Sequence, residues 1–280
     1  MNLLSFSMMN RLHLSDCVEG MRTLPDACIP LTVTSPPYGN LRKYGGHSFN
    51  FEAVAQELWR VTVPGGVVVW VVADHIEDGS ETGAVCRQQL WFQDLGFRVH
   101  DKLVMSKSYR LPQKNRYHGD CLEFAFVLSK GKPRTINLLR DKPNSTAGQC
   151  RPFAQMASDG RRTISPKVYA VSDYGVRGKV WYYPRGGQLT TDDRAAFDQT
   201  ALMPEAMAKD HIVSWSQPGE LVLDPFAGAG TTAKMALLNH RRYLGFEVHQ
   251  PYFEIAQRRL AEARLKYRSI LESKVIRPKV

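Results

Sequence analysis

The chain has 280 residues, of which 43% are hydrophobic and 23% are charged, and this balance excludes a wholly disordered chain or a collagen-like repeat. Its 37 Lys and Arg residues outnumber its 27 Asp and Glu residues, which leaves a net charge of +10. A basic excess of this size is typical of proteins that bind a polyanion, most often a nucleic acid.

The first 130 residues alternate between apolar strands and amphipathic helices. Strands are predicted at residues 31–34, 67–73, 99–105 and 122–128, and helices at 49–63 and 84–95. The continuous apolar stretches are typical of strands that are buried on both faces of a parallel sheet.

Between residues 131 and 200 neither the helical nor the strand period persists. Pro, Gly, Ser, Asn, Arg and Lys dominate this segment, so we predict an inserted, loop-rich recognition module. The apolar quartet at residues 180–183 is expected to anchor it to the rest of the chain.

Regular structure is predicted again after residue 201. The predicted elements are a helix at 204–216, a strand at 221–223, a helix at 231–239, a strand at 243–246 and a helix at 252–264. Strands that alternate with helices predict an α/β fold with a doubly wound, mostly parallel sheet. Residues 271–280 are predicted to form a basic tail.

The positive charge is concentrated in two segments. Residues 98–185 carry 18 basic and 6 acidic side chains, and residues 256–280 carry 8 and 2. The remainder is therefore acidic, with a net charge of −8. Because phosphate contacts require local clusters of Lys and Arg, the middle of the chain is the predicted nucleic-acid-binding region.

A Gly-rich turn lies between the predicted strand and helix in the sequence LVLDPFAGAGTT. Gly228 and Gly230 allow the backbone to approach a ligand, and Thr231 and Thr232 are expected to cap a helix whose free N–H groups attract a negative group. Glu247 ends the next predicted strand, 17 residues after Gly230. An acidic residue at such a place holds ribose hydroxyls in nucleotide-type folds, and no P-loop pattern occurs.

A stiff loop, Ser35-Pro36-Pro37-Tyr38, follows the first predicted strand. Its two prolines fix φ and remove two N–H donors, which leaves carbonyl groups available as acceptors. Tyr38 offers a flat aromatic face and Ser35 a hydroxyl group. Such a loop suits a planar base whose exocyclic amino group donates to Ser35 and to the carbonyl of Pro36, but taken alone it is more often a plain proline turn that covers the edge of a sheet.

Together the two loops and Glu247 resemble the amino-methyltransferases of DNA, which methylate N4 of cytosine or N6 of adenine using S-adenosylmethionine. The first loop precedes the second by 186 residues, with the basic segment between them. This order resembles the β group of the family, and the resemblance covers nearly the whole chain. It implies a Rossmann-like methyltransferase domain with a catalytic half at 1–130, a target-recognition insertion at 131–200 and a cofactor-binding half at 201–270.

The resemblance also implies the residues of the site. Ser15-Asp16-Cys17 resembles the acidic turn that the family places near the cofactor adenine. The implied catalytic residues are Ser35, Pro36, Pro37 and Tyr38. The implied cofactor-binding residues are Asp16, Cys17, Thr34, Asp224, Pro225, Phe226, Gly228, Gly230, Thr231, Thr232 and Glu247. No metal is expected, because His118 and His211 lack partners at ligand spacing.

The mechanism that the resemblance implies is direct transfer to an amino nitrogen. Hydrogen bonds to Ser35 and to the Pro36 carbonyl would favour a pyramidal nitrogen and stabilise its developing charge. The base must leave the duplex, with Tyr38 replacing its lost stacking. Serine as the first residue of the loop resembles the cytosine-N4 members, so cytosine-N4 methylation is predicted, with adenine-N6 as the alternative.

The predicted partner is double-stranded DNA with a short recognition sequence. Its predicted contacts are Lys107, Arg110, Lys114, Arg116, Arg161, Arg162, Lys167, Arg177 and Lys179. A separate cognate restriction endonuclease, and the choice between monomer and dimer, stay open.

The cysteines and the apolar stretches bear on location. The five cysteines form no C-x-x-C pair, which favours a reducing, cytoplasmic setting in a bacterium, archaeon or phage-infected cell. No signal peptide or membrane span is predicted.

Two other functions remain as alternatives. One is a DNA-binding module that retains the fold but performs no chemistry; the intact loops argue against it. The other is methylation of RNA or of protein amides, where related loops occur; the basic insertion favours nucleic acid over protein.

Overall fold

The computed structural model describes residues 8–37, 49–111, 119–184, 190–193 and 202–275. The chain forms two compact units. The larger unit comprises Met1–Asn137 and Val180–Val280, and the smaller unit comprises Leu138–Lys179.

The larger unit is an α/β domain. Its helices are α1 (Cys17–Arg22), α2 (Phe51–Val61), α3 (Ala84–Asp94), α4 (Glu205–Trp215), α5 (Thr231–Leu238) and α6 (Gln250–Val275). Its strands are β1 (Arg11–Leu14), β2 (Ile29–Thr34), β3 (Thr62–Val72), β4 (Ile76–Glu77), β5 (Ser80–Glu81), β6 (Arg98–Leu111), β7 (Gly119–Ser129), β12 (Val180–Tyr183), β13 (Leu221–Asp224) and β14 (Arg242–Glu247). The strands of the smaller unit are β8 (Arg140–Pro143), β9 (Cys150–Met156), β10 (Arg162–Ala170) and β11 (Tyr174–Val176).

Eight strands of the larger unit form one sheet in the order β1-β14-β13-β2-β3-β7-β6-β12. The first five strands in this order are parallel to one another, and β12 is parallel to β6. The prediction of a mostly parallel α/β sheet is confirmed. Among these eight strands, β7 runs against its neighbours β3 and β6. Its direction was not predicted, because a strand buried on both faces shows the same apolar stretch in either orientation.

The core lies against the central strands. Residues 67–72 of β3 are all buried, in agreement with the predicted apolar strand. The indole of Trp70 packs edge-on against Phe51 of α2 and Phe92 of α3, with ring centroids 5.9 and 5.3 Å away. Its N–H donates to the side chain of Gln88 at 2.8 Å, so the buried polar atom is satisfied. These contacts hold α2 and α3 against the sheet.

The chain reverses its direction of travel across the sheet between β13 and β2. From β13 it continues through α5 to β14 on one side, and from β2 through α2 to β3 on the other. Ligands of open parallel sheets bind in the crevice at the carboxyl ends of such a strand pair. The Gly-rich turn follows β13 and the Ser-Pro-Pro-Tyr loop follows β2, so the fold brings the two predicted loops to one crevice.

The quartet at residues 180–183 forms β12, an edge strand of the sheet. Trp181 and Tyr183 are buried, whereas the alternate residues are exposed. Trp181 stacks on the imidazole of His211 with 5.0 Å between centroids, and the Tyr183 hydroxyl donates to Asp210 at 2.7 Å. This end of the predicted insertion is therefore anchored on α4.

The smaller unit contains two antiparallel strand pairs, of which β9–β10 is a hairpin, where loops were expected. β8 pairs with β11 and β9 pairs with β10, both antiparallel. All the described side chains of β9 and β10 are exposed. Apolar and polar residues alternate in part along both strands, but β9 is short and the period of β10 is interrupted between Ile164 and Val168, so no strand was predicted in this segment.

Helix α6 extends beyond its predicted end. It continues to Val275, so the first part of the predicted tail at 271–280 is helical, and residues 276–280 lie outside the described residues. None of the helices in the described ranges combines the length and the hydropathy that a membrane span requires.

Candidate functional site

The Gly-rich turn connects β13 to α5 at the crevice. Gly230 is the N-cap of α5 and has a left-handed backbone, with φ of 76°, and Gly228 has φ of 51°. A Cβ atom on Gly230 would lie 3.0 Å from the Cβ of Ala256 in α6. Both the backbone angle and the close packing therefore require glycine at this position.

The start of α5 differs from its prediction. No side chain caps the helix, although Thr231 and Thr232 were expected to do so. The Thr232 hydroxyl donates instead to the carbonyl of Val33 at 3.3 Å, and the Thr231 hydroxyl accepts from Arg259 at 3.2 Å. The two hydroxyl groups join the helix to its neighbours, and its first N–H groups receive no side-chain cap.

Glu247 ends β14 beside the turn. Its Oε2 accepts the N–H of Gly228 at 2.7 Å, and its Oε1 accepts the N–H of His249 at 2.8 Å. The side chain is half-buried, and each carboxylate oxygen can accept a further hydrogen bond. The carboxylate is thus fixed in place and can receive two hydroxyl groups of a ligand.

Asp16 lies at the end of β1, next to the end of β14. The N–H of Ser15 donates to the carbonyl of Glu247 at 2.9 Å, which aligns the two strand ends. One oxygen of Asp16 caps α1 by accepting the N–H groups of Val18 and Glu19, at 2.8 and 3.1 Å. Asp16 and Glu247 therefore form an acidic edge of the crevice.

Cys17 lies beneath this edge, in the hydrophobic core. Burial, together with the charge of Asp16, raises the pKa of its thiol to about 12. The thiol is uncharged at neutral pH, so it is no nucleophile. Any contact of Cys17 with a ligand would involve its backbone.

Asp224 joins the two loops at the base of the crevice. Its Oδ1 accepts the hydroxyl of Thr34 at 2.7 Å and the N–H of Phe226 at 3.1 Å. Burial raises the pKa of Asp224 to about 6, although these hydrogen bonds and one shared with Thr232 oppose the shift. Asp224 is only 5% exposed, and its described contacts all lie within the protein, which suits a positioning role.

The Ser-Pro-Pro-Tyr loop is described only in part. Thr34 and Pro36 are buried, and Ser35 and Pro37 are half-buried at the carboxyl end of β2. Tyr38 lies outside the described residues. Pro225 is buried next to Asp224, and Phe226 is half-buried, with its ring edge-on to that of Phe49 at a centroid distance of 4.9 Å.

The predicted DNA contacts fall into two groups. Lys107 and Arg110 lie on β6 with undescribed side chains, and Lys114 and Arg116 lie outside the described residues. The smaller unit contains the other five, which are Arg161, Arg162, Lys167, Arg177 and Lys179. Four of these five are exposed, whereas Arg177 is half-buried and binds Asp141 with two of its nitrogens.

A buried charged cluster next to the turn was not predicted. It consists of Arg259, Lys234, Asp193, Glu205 and Thr191. Arg259 is 1% exposed, and it lies on the same face of α6 as the buried Ala256 and Ala263. A basic residue in register with an apolar helix face was the only signal of it in the sequence.

No metal centre is seen in the part of the chain that the structure describes: no three His, Cys, Asp or Glu side chains there are placed to hold an ion. The four cysteines whose side chains are described, Cys17, Cys28, Cys86 and Cys150, are free thiols.

Comparison with known proteins agrees with this geometry. The chain matches the DNA methylase family model N6_N4_Mtase over residues 29–258. It is 50% identical over 238 residues to the orphan methyltransferase M.BamHII of Bacillus amyloliquefaciens, and the match covers 84% of this chain and 89% of that protein.

Two solved structures share the fold. The PvuII DNA methyltransferase, described as cytosine-N4-specific, matches with a TM-score of 0.63 and 17% identity over 93% of this chain and 92% of its own. TTHA0409 of Thermus thermophilus, in complex with S-adenosyl-L-methionine, matches with a TM-score of 0.59 and 24% identity over 90% and 95%. With the family match over most of the sequence, the chain belongs to the DNA methylase family N6_N4_Mtase and is a DNA methyltransferase.

Proposed function

We propose that this enzyme transfers a methyl group from S-adenosylmethionine to N4 of a cytosine that is flipped out of double-stranded DNA. The observation that carries the proposal is the bond between Thr34 and Asp224, because it fixes the Ser-Pro-Pro-Tyr loop beside the Gly-rich turn. A methyl donor held at the turn and an amino group held at the loop would then be neighbours.

The crevice suits S-adenosylmethionine, which supplies an electrophilic sulfonium methyl group when bound. Glu247 is fixed by two backbone N–H groups and retains acceptor capacity for ribose hydroxyls. Asp16 lies at the adjacent strand end, where it can accept from the adenine amino group. The uncapped start of α5 offers N–H groups to the carboxylate of the methionine part. The presence of this cofactor in the similar fold of TTHA0409 supports the same assignment.

The loop after β2 suits the amino group of the base. In our proposal Ser35 and the carbonyl of Pro36 accept its two hydrogens, which makes the nitrogen lone pair available and stabilises its developing positive charge. The prolines keep these acceptors in place. Tyr38 is proposed to stack on the flipped base.

The first residue of the loop favours cytosine over adenine as the target base. Ser35 stands first in the loop, as in the cytosine-N4 members, and the similarly folded PvuII enzyme is described as specific for that position. Serine and aspartate can both accept from an amino group, and the family name covers both targets. Adenine-N6 methylation is therefore the second candidate.

The smaller unit is the proposed site of DNA recognition. It carries eight basic and three acidic residues. On the β9–β10 ribbon, strand pairing places Arg151, Gln155, Thr163 and Tyr169 on one face, and Met156, Ile164 and Val168 on the other together with Arg162, which begins β10 opposite Met156. A two-stranded ribbon fits the major groove, so we propose that the polar face contacts base edges while Arg161, Arg162 and Lys167 contact phosphates.

The sequence leaves open both a cognate endonuclease and the choice between monomer and dimer. M.BamHII is described as an orphan methyltransferase, which favours action without a dedicated endonuclease.

The test is product analysis. The purified enzyme is incubated with methyl-labelled S-adenosylmethionine and either double-stranded DNA of mixed sequence or RNA, and the nucleosides are separated by mass spectrometry. N4-methylcytosine from DNA is expected. N6-methyladenine would overturn the choice of base, an RNA-only signal the choice of substrate, and cofactor binding without incorporation would favour the silent DNA-binding module.

A further inference from the structure

Arg259 makes an unusual set of contacts for a residue outside the crevice. From α6 it donates to the carbonyl of Ala229 at 2.6 Å, in the turn between the two loop glycines. It also donates to Asp193 and Glu205, both at 2.8 Å. Its guanidinium therefore connects the backbone of the Gly-rich turn to two carboxylates that are distant in sequence.

Lys234 completes the cluster from α5. Its ammonium group donates to the same two carboxylates, to Asp193 at 2.7 Å and to Glu205 at 2.8 Å. Thr191 donates its hydroxyl to Glu205 at 2.5 Å. Two buried cations thus meet two half-buried anions, and their charges balance. The hydrogen bonds from Lys234 and Arg259 keep the pKa of Asp193 low despite the opposing effect of burial.

Such a cluster is a costly way to stabilise a fold. Burying charges carries a desolvation penalty that pairing only partly offsets, so apolar side chains of similar size often stabilise a core as well or better. What the cluster provides is orientation, because a forked guanidinium fixes the direction of each acceptor that it binds. Here one of those acceptors is a backbone carbonyl of the turn proposed to bind the cofactor.

The turn is sensitive to this orientation. The carbonyl of Ala229 belongs to the peptide unit that also carries the N–H of Gly230, which donates to Ala227 at 2.7 Å. Because a peptide unit is planar, fixing its carbonyl also fixes its N–H. The carbonyl of Ala227 belongs in turn to the peptide unit that carries the N–H of Gly228, and this N–H donates to Glu247. A rotation of this peptide would therefore disturb the carboxylate proposed to hold the ribose.

We infer that Arg259, oriented by Asp193 and Glu205, is a positioning residue that fixes the Ala229 peptide and thereby sets the affinity for S-adenosylmethionine. The inference rests on the proposed cofactor site. Because Arg259 acts on the turn from outside the crevice, its loss should affect cofactor binding far more than turnover at saturating cofactor.

The test compares binding and turnover in variants. Arg259→Met retains much of the side-chain length and removes the donors. We expect its Kd for S-adenosylmethionine, measured by calorimetry without DNA, to rise about tenfold or more. Its kcat at saturating cofactor should stay within about threefold of the wild type, and its KM for DNA should not change. Arg258→Met, an exposed neighbour on the same helix, is the matched control and should behave as wild type.

A double variant separates the positioning role of Arg259 from its contribution to charge balance. Asp193→Asn combined with Arg259→Met restores neutrality to the cluster but not the bond to Ala229. If Arg259 is a positioning residue, this double variant is more thermally stable than Arg259→Met alone, but it binds the cofactor as weakly as Arg259→Met. Recovery of both stability and cofactor affinity would show that only charge balance matters and would overturn the inference.

Arg259→Lys provides the test of cofactor affinity if the Arg259→Met variant does not fold. It retains the charge, yet one ammonium group cannot reproduce the fork to Ala229, Asp193 and Glu205. A folded Lys variant should bind the cofactor about three- to tenfold more weakly. Wild-type affinity in this variant would contradict the inference. Absence of binding in the wild type would instead contradict the proposed function.

Discussion

The hydroxyl of Thr34 donates to Oδ1 of Asp224 at 2.7 Å, across 190 residues of sequence. It is a direct link between the end of β2, where the Ser-Pro-Pro-Tyr loop begins, and the end of β13, where the Gly-rich turn begins. Both partners are buried, with 0% and 5% exposure. Loss of the donor would leave a buried carboxyl group without one of its hydrogen bonds, which is costly in an apolar surrounding.

The first prediction is that Thr34→Val lowers both stability and activity. Valine has the shape of threonine without the donor, so we expect the free energy of unfolding to fall by about 1–3 kcal/mol. We expect kcat/KM to fall because the two loops lose their link. Urea denaturation and methyl incorporation into DNA measure the two effects.

Thr32→Val is the matched control for this experiment. Thr32 lies two residues earlier on the same strand, it is equally buried, and its hydroxyl has no hydrogen-bond partner among the described residues. Removing an unpartnered hydroxyl should leave stability unchanged or raise it. If the two variants lost equal stability, the bond to Asp224 would carry no special weight.

The second prediction concerns pH. Asp224 has a pKa of about 6 in the folded protein, against 3.8 for an ordinary aspartate, so the native state holds the proton more tightly than the unfolded state. Stability from this group is present at low pH and is lost as pH rises from about 4 to 6. Asp224→Asn retains an acceptor for Thr34 but does not titrate.

Denaturation of both proteins at pH 5 and pH 8 measures the effect. We expect the difference in unfolding free energy, Asn variant minus wild type, to be larger at pH 8 by about 1–2 kcal/mol. An equal difference at both pH values would show that Asp224 titrates normally in the folded protein.

The sequence predicted the parts of the fold that local patterns determine. Continuous apolar stretches predicted β2, β3 and β13, and glycines before a helix predicted the turn at 228–230. The orientation of β7 depends on pairing between distant strands, and the apolar–polar period of the β9–β10 ribbon is interrupted between Ile164 and Val168. Local patterns therefore predicted neither the orientation nor the ribbon.

The candidate site likewise has parts that local motifs predicted and a part that they did not. Ser35, Gly228, Gly230 and Glu247 were predicted because each belongs to a short motif at a strand end. The charged cluster was not predicted, because Arg259 meets its partners Glu205 and Asp193 across 54 and 66 residues. Such a pairing of charges follows only from the packing of α6 against its neighbours.

The third prediction is that Glu247→Gln weakens cofactor binding without unfolding the protein. The amide oxygen can still accept the N–H of Gly228, but the new NH₂ group cannot accept a ribose hydroxyl. We expect Kd for S-adenosylmethionine to rise about 10- to 100-fold. Calorimetry measures it, with the exposed Glu254→Gln on α6 as the control. Unchanged affinity would remove Glu247 from the proposed site.

The fourth prediction is that Tyr38→Ala impairs transfer while cofactor binding stays within about threefold of the wild type. Tyr38 is proposed to stack on the flipped base, and stacking of a base on an aromatic ring contributes about 1–3 kcal/mol. Single-turnover methylation and calorimetry separate the two quantities. An equal loss of both would mean that the residue serves the cofactor site or the fold.

The fifth prediction tests the smaller unit as the DNA-binding surface. Arg161 and Arg162 lie at the turn of the β9–β10 ribbon, and both side chains are exposed. If they neutralise phosphates, replacing both by Gln should weaken DNA binding at every sequence and reduce the slope of log K against log salt by about 1–2. Fluorescence anisotropy over a range of salt concentrations measures that slope.

Two further variants make the fifth prediction specific. Arg22→Gln removes an exposed charge at the end of α1 in the larger unit, and it should leave the slope unchanged. Arg177→Gln should reduce the slope by less than half as much as the double ribbon variant. Arg177 is half-buried and binds Asp141 with two nitrogens, whereas the pair of Arg161 with Asp159 is exposed and leaves its guanidinium accessible to a phosphate. If all four arginines changed the slope equally, the salt dependence would reflect net charge alone, and the ribbon would lose its assignment as the DNA-binding surface.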